Sequence, residues 1–371
     1  MVRAVPMHTA AFILAIALPT STIEVPGDFP TIQEAIEAAS DGDTIEIAAG
    51  TYHEHDLSLQ QKAITLRGST GPDGMPLTTI DSLGLGDNVM AFFGEGNDTV
   101  VEHLVFTGVA GGDWAAVTMF HARPTMINCT FVGNETTGIG GGVYNLNGAP
   151  IFIDCRFIDN TANWGGGYAC WETGQPDHPS FLRCTFSGNS AVLGGGFANL
   201  RSSPTLVECF FEHNTATEDG GAILNEGDPC CERWFGDVLV DSCVFDGNTA
   251  AGSGGAICNR TFGTSTIVGC TIRNNAAGLA GSAVASSDPT MAILTGSTVC
   301  SNLGTFEQIE GPADLDGSNS IRDECPVTCS GDVNGDGSVD VTDLLAVIAG
   351  WDEPYDVGDL LTIIGGWGTC R

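Results

Sequence analysis

Apolar positions in this chain alternate over short runs, then stop at glycine or asparagine. In TFV at 130–132, with Cys129 before it, Cys129 and Phe131 share one face of a strand, and Thr130 and Val132 share the other. The stretch CTFVGN at 129–134 returns as CRFIDN at 155–160, CTFSGN at 184–189, CFFEHN at 209–214, CVFDGN at 243–248 and CTIRNN at 270–275. A degenerate copy, STVCSN, stands at 297–302. The first five are each followed by a glycine-rich partner: GGGVYN ending at Asn145, GGGYAC at Cys170, GGGFAN at Asn199, GGAILN at Asn225 and GGAICN at Asn259. Successive repeat cysteines lie 26, 29, 25, 34 and 27 residues apart, and the second motif ends 15 or 16 residues after its cysteine.

Fixed internal spacing at such a period marks a solenoid. Helical spacing is missing from the repeat, and its glycine pairs would weaken any helix. Each repeat therefore predicts one coil of short strands, and the stack is a mainly β parallel β-helix with coils about 4.8 Å apart. Asn134, Asn160, Asn189, Asn214, Asn248, Asn275 and Asn302 would form a ladder at one turn. Asparagine suits that place because it tolerates the left-handed conformation and its amide can bond the next coil. Stacked thiols spread along a line rather than converging on a point, so the cysteine ladder reads as packing rather than as a metal site. Cys325, Cys329, Cys370 and the vicinal pair Cys230 and Cys231 are better disulfide candidates.

The period changes at both ends. Thr31 and Glu34 form a capping box, and Ile32, Ala35, Ile36 and Ala39 give one apolar helical face able to plug the open end of the core. After the Asp-Gly-Asp turn, residues 44–47 alternate like a first strand, and the final coil is expected to run through 308–325. Ahead of this, Arg3 and the apolar run 10–18 form a segment too short to span a bilayer, and residues 1–22 read as a signal peptide. No later stretch is long enough for a membrane helix, so an integral membrane protein is not expected.

With these motifs in view, a family resemblance emerges. FDGN at 245–248 paired with GGAI at 254–257 resembles the double motif of the polymorphic outer membrane protein repeats. Residues 24–325 resemble the right-handed parallel β-helix, or pectin-lyase-like, superfamily. That resemblance implies a β-helix over 23–327 and raises an enzyme hypothesis, since the superfamily holds pectate lyases, polygalacturonases and pectin methylesterases. AGTYHE at 49–54 resembles an early pectinesterase segment. No match to the lyase set of carboxylates with a nearby Arg and Lys is found, and a fold alone does not confer activity.

Residues 328–371 carry different chemistry. In DVNGDGSVDVTD, Asp332, Asn334, Asp336, Ser338, Asp340 and Asp343 fall at positions 1, 3, 5, 7, 9 and 12 of an EF-hand-type loop for Ca2+, with Gly337 at the sharp turn. The segment resembles a type I dockerin and implies a small α-helical module that docks a cohesin-like partner. Asp340-x-x-Asp343-LLAVIAGW recurs as Asp356-x-x-Asp359-LLTIIGGW, but the second copy lacks the first half of the loop, so one complete calcium site is expected. Docking or anchoring, and calcium-dependent folding of a tail, are both open.

Composition narrows the partners. The 371 residues carry 46 Asp and Glu against 12 Lys and Arg, a net charge of −34 with a single lysine, Lys62. Nucleic acid and anionic membranes are excluded as partners, because both require basic surfaces. Two places are candidates for function. Asp154, Arg183 and Glu208, each just before a repeat cysteine, would stack outward on successive coils; they suit acid–base work or a solvated charge ladder. Insertions at 171–180 and 226–237 follow the same strand of two coils and would wall a groove with Trp171, His178, Arg233 and Trp234 near its rim. Tryptophan beside carboxylates suits sugar stacking, and loop aromatics also serve to cover a core edge. The expected function is a secreted or cell-surface β-helix that is structural, adhesive or carbohydrate-binding. The alternative is a calcium-dependent lyase or glycoside hydrolase acting on an extracellular polysaccharide.

Overall fold

The computed structural model describes residues 20–171, 178–227, 236–287, 289–304 and 307–325, with the pairs 338–339 and 368–369. Strands of successive coils stack into parallel sheets of twelve, eleven, seven and ten strands. A single coil visits the four in turn, as Thr125–Ile127, Thr130–Val132, Glu135–Thr136 and Val143–Leu146 show. The next coil repeats them in register, pairing Thr125 with Ile151, Thr130 with Arg156, Glu135 with Thr161 and Val143 with Tyr168. The solenoid that the repeat period predicts is therefore present.

Inward residues stack like on like. Phe131, Phe157, Phe186, Phe211 and Phe245 are fully buried, with ring centroids 4.9, 4.5, 4.6 and 4.8 Å apart and nearly parallel planes. Each such pair adds about 1 kcal/mol beyond the area it buries.

The asparagine ladder is present, but its conformation differs from expectation. The left-handed residue is the one before each asparagine: Gly133, Asp159, Gly188, His213, Gly247, Asn274 and Ser301 all have positive φ. The ladder asparagines from Asn134 to Asn275 point inward and are fully buried. The Asn160 side-chain oxygen accepts from both the backbone N–H and the Nδ2 of Asn134, at 3.1 and 3.0 Å. That pattern repeats rung by rung to Asn302, whose Nδ2 ends the series on the Gln308 Oε1 at 2.9 Å. A left-handed corner turns the following N–H away from the sheet ladder, and an inward amide supplies the missing acceptor.

The thiols do the same at the previous corner. Asn128, Asp154, Arg183, Glu208, Ser242, Gly269 and Gly296 are left-handed there. The Cys209 N–H donates to the Cys243 Sγ at 3.2 Å, Cys243 to Cys270 at 3.4 Å, and Cys270 to the Ser297 Oγ at 3.1 Å. The repeat cysteines are buried and unbridged, so they pack as expected, but they also serve as acceptors. Ser297 explains itself: a hydroxyl fills the thiol's place. Burial holds the Cys129 and Cys184 thiols well above the ordinary range. The disulfide among the described residues joins Cys325 to Cys300, 25 residues apart, and ties down the last coil. Cys325 was a bridge candidate; Cys300 was hidden in the degenerate repeat.

At the other end the helix Ile32–Ala38 covers the core with Ile32, Ala35 and Ile36. Thr31 Oγ1 accepts from the Glu34 N–H at 3.2 Å, one half of the expected box. The remaining first-turn donors, Ile32 N and Gln33 N, bind the Glu54 carboxylate at 2.7 and 3.0 Å. Glu54 of AGTYHE thus caps a helix. Lys62 Nζ closes the other end, donating to the carbonyls of Ile36 and Glu37. The first strand is Thr22–Val25, paired in register with Thr44–Ile47, so residues 44–47 form the second strand. The predicted signal segment lies almost wholly outside the described residues. Among those described, no helix is long and apolar enough to cross a membrane.

Candidate functional site

The ten-stranded sheet turns its outer face into a groove. In Val143–Leu146 the first and third residues enter the core, while Tyr144 and Leu146 point outward. Outward second positions form a floor of Tyr144, Ala169, Ala198, Leu224, Cys258 and Ala285, all nearly or fully buried. The seven-stranded sheet covers them from one side. Its Trp164, Val192 and Leu193 pack with Leu224, Cys258 and Ala285 as a second small apolar cluster outside the main core. The first glycine of each GG motif makes this possible. Gly165, at φ 61°, reverses the chain so tightly that a Cβ would strike the Tyr168 carbonyl.

Fourth positions form the other wall, in register: Phe93, Phe120, Leu146, Trp171, Leu200, Glu226 and Arg260. The groove is aromatic toward its N-terminal end. Phe93 stacks on Phe120 at 5.4 Å, and Trp114 meets the Phe120 edge at 5.7 Å. Phe93 and Trp114 are 47% and 38% exposed, unusual for such large apolar rings. Midway, Ile139, Trp164, Trp171, Leu200, Arg201, Glu226 and Gly227 line a depression of about 180 Å³, with the Arg201 guanidinium 5.8 Å from the Trp171 ring centre. Towards the C-terminal end the wall becomes charged around a depression of about 500 Å³ that includes Asp219, Arg260 and Glu310. Arg260 donates to Asp219 at 3.1 Å and to Glu226 at 3.0 Å. Burial works against the charge on Arg260, but the Asp219 hydrogen bond and the two carboxylates outweigh it and raise its pKa. On the floor, burial with Asp219 nearby pushes the Cys258 thiol up to about 12.

The residues singled out from sequence fall in three places. Trp171 stands in the groove wall. His178 is half-buried, its Nδ1 3.4 Å from the Ser202 Oγ and 3.3 Å from the Ser203 N–H, so it fastens one coil to the next. Arg233 and Trp234 lie outside the described residues. So do Asp332, Asn334, Asp336, Asp340 and Asp343, along with Cys230, Cys231, Cys329 and Cys370. Ser338 belongs to the short strand Ser338–Val339, which pairs antiparallel with Gly368–Thr369.

Asp154, Arg183 and Glu208 do stack at one corner, between the twelve- and eleven-stranded sheets. Arg183 grips Asp154 through two bonds of 2.8 and 2.9 Å, and this pairing raises the Arg183 pKa. Arg183 and Glu208 are exposed and Asp154 is half-buried, so the three stand as a partly solvated charged row. The groove's aromatic entrance and its Asp219–Arg260–Glu226 chain were missed. The signal lay one residue past each glycine motif, at Leu146, Trp171, Leu200, Glu226 and Arg260.

Comparison with known proteins adds a repeat and a fold. Residues 208–226 and 242–260 match the Chlamydia polymorphic membrane protein repeat. No curated protein matches the chain. ORF18 of Geobacillus virus E2 matches over 82% of this chain and 59% of its own, at 14% identity and a TM-score of 0.50. The tailspike gp49 of Acinetobacter baumannii bacteriophage Fri1, a capsular polysaccharide depolymerase, matches over 82% and 62%, at 11% identity and the same score. Pectate lyase Pel9A matches over 85% and 83% at 14% identity, with a TM-score of 0.45. The chain spans less than two thirds of the length of both viral proteins. At these identities the likeness is one of fold: a parallel β-solenoid of right-handed type, carrying two polymorphic membrane protein repeats.

Proposed function

We propose that this protein is a secreted or cell-surface β-helix that binds a polysaccharide along the outward groove of its ten-stranded sheet. The observation that carries this reading is the in-register wall Phe93, Phe120, Leu146, Trp171, Leu200, Glu226 and Arg260, flanked by Trp114 and Trp164. Trp114, Trp164 and Trp171, with the exposed Phe93 at one end, offer a chain of sugars apolar ring surface at several points along the groove, and the charged groups beyond them accept from and donate to hydroxyls. The phage tailspike of similar fold, a capsular polysaccharide depolymerase, agrees with such a ligand. Binding is favoured over cleavage because Asp219 and Glu226, two of the groove's carboxylates, are both engaged by Arg260 rather than free for acid–base work. A glycan array with the wild type and Trp171→Ala tests the reading. The substitution should weaken binding about ten-fold. Unchanged binding, or cleavage products from any bound polysaccharide, would overturn the assignment.

The C-terminal segment supplies a second part of the proposal. Asp332, Asn334, Asp336, Ser338, Asp340 and Asp343 form an all-oxygen donor set, which fits a hard divalent cation such as Ca2+. The dockerin-like module would attach the β-helix to a cohesin-like protein. Calcium titration of Asp336→Ala against the wild type tests the loop, and equal affinities would remove it.

A further inference from the structure

Building on the glycan reading, we infer that the groove selects chains free of carboxylates and prefers those bearing amino sugars. The lining gives the reason. Among the described residues, Asp219, Glu226 and Glu310 bring three carboxylates to the groove, against the guanidinium groups of Arg201 and Arg260. Arg260 is held from both sides by Asp219 and Glu226, and Arg201 lies over Trp171. A uronate entering this stretch would have to pull Arg260 from its partners and leave a partly buried carboxylate without its counter-ion. The net charge of −34 acts in the same sense, lowering the encounter rate with anionic chains.

An amino sugar meets the opposite field. Glu310 lines the larger depression, and Glu226 lines the smaller one next to it. Glu226 uses Oε2 for Arg260, and Glu310 uses Oε2 for the Gly281 N–H. The second oxygen of each carboxylate is then available to an ammonium group on a sugar whose neighbour stacks on Trp164 or Trp171. The aromatic half thus binds the sugar ring, and the acidic half chooses its substituent.

Three oligosaccharide series of matched length test this by isothermal titration of the full chain: 1,4-linked glucosamine, its N-acetylated counterpart, and 1,4-linked galacturonate. The amino series should bind about three-fold tighter per engaged amine than the acetylated one, with the advantage fading at high salt. Galacturonate should bind at least about ten-fold more weakly than either. In the Glu226→Gln, Glu310→Gln double variant the amino and acetylated series should become equal. Glu310→Gln alone, which leaves the Arg260 pairs intact, should show part of that loss and serves if the double variant does not fold. Galacturonate binding as tightly as the acetylated series, or an amine preference that survives both variants, would overturn the inference and leave the glycan reading standing. Failure of all three series to bind would overturn both.

Discussion

Replacing one rung of the buried asparagine ladder should cost more than its size suggests, and Asn214→Ala is the sharpest case. The Asn214 Nδ2 donates to the Phe186 carbonyl and to the Asn248 Oδ1, both at 2.9 Å. Its Oδ1 accepts from the Asn189 N–H at 3.1 Å and from the Asn189 Nδ2 at 2.9 Å. Alanine removes all of these. A net hydrogen bond is worth about 1 kcal/mol, and a buried donor left without an acceptor, here the Asn189 N–H, costs about 1–3 kcal/mol. Because Asn189 Nδ2 and the Asn248 Oδ1 keep other partners, the expected loss is about 4 kcal/mol. In a solenoid, stability is carried by coils and their nearest interfaces, so the loss should centre on the coils holding Asn189, Asn214 and Asn248. Hydrogen exchange resolved by peptide, with urea unfolding alongside, measures both size and place. The exposed neighbour Thr215→Ala, expected within about 0.5 kcal/mol, is the control. A loss below about 1 kcal/mol, or one spread evenly along the chain, would refute the ladder's role. Asn214→Asp sharpens the test. Its added carboxylate oxygen would face the Phe186 carbonyl, so its pKa should rise, and stability should recover as pH falls.

Two further outcomes follow from the thiols. Cys243→Ser should be tolerated within about 1 kcal/mol, as Ser297 already fills that place, whereas Cys243→Val should cost about 2 kcal/mol more by stranding the Cys209 N–H; urea unfolding distinguishes them. Cys258, with a folded-state pKa raised to about 12, lends stability that is whole below the ordinary thiol pKa and is lost as pH climbs towards 12. Thermal unfolding across that alkaline range should therefore fall less steeply in Cys258→Ala than in the wild type, and parallel curves would contradict the assignment.

Local sequence determined the coil. The spacing of cysteine, phenylalanine and asparagine dictated which residues turn inward, because alternation in a strand is a property of the backbone alone. The glycine pairs marked where the chain must reverse, and Thr31 with Ile32 to Ala39 announced the helical plug. Those readings needed no knowledge of neighbours. Which residue of each corner is left-handed was not legible, since asparagine, aspartate, histidine, serine and glycine all occur there, and the choice depends on which N–H an adjacent coil can accept. Glu54 and Lys62 likewise found their roles only when the coils brought them to the two ends of the helix. The inserted loops pointed to Trp171, but most of the groove belongs to the tertiary structure. Consecutive members of the row Phe93, Phe120, Trp171, Glu226 and Arg260 stand 27 to 55 residues apart in the chain, and only in-register stacking turns them into one wall. Asp154, Arg183 and Glu208 were stacked by the same rule, yet at a corner between two sheets where Arg183 and Glu208 are exposed. Periodicity predicts which residues align; whether the aligned row lines a groove or an exposed corner is decided by how the sheets fold against each other.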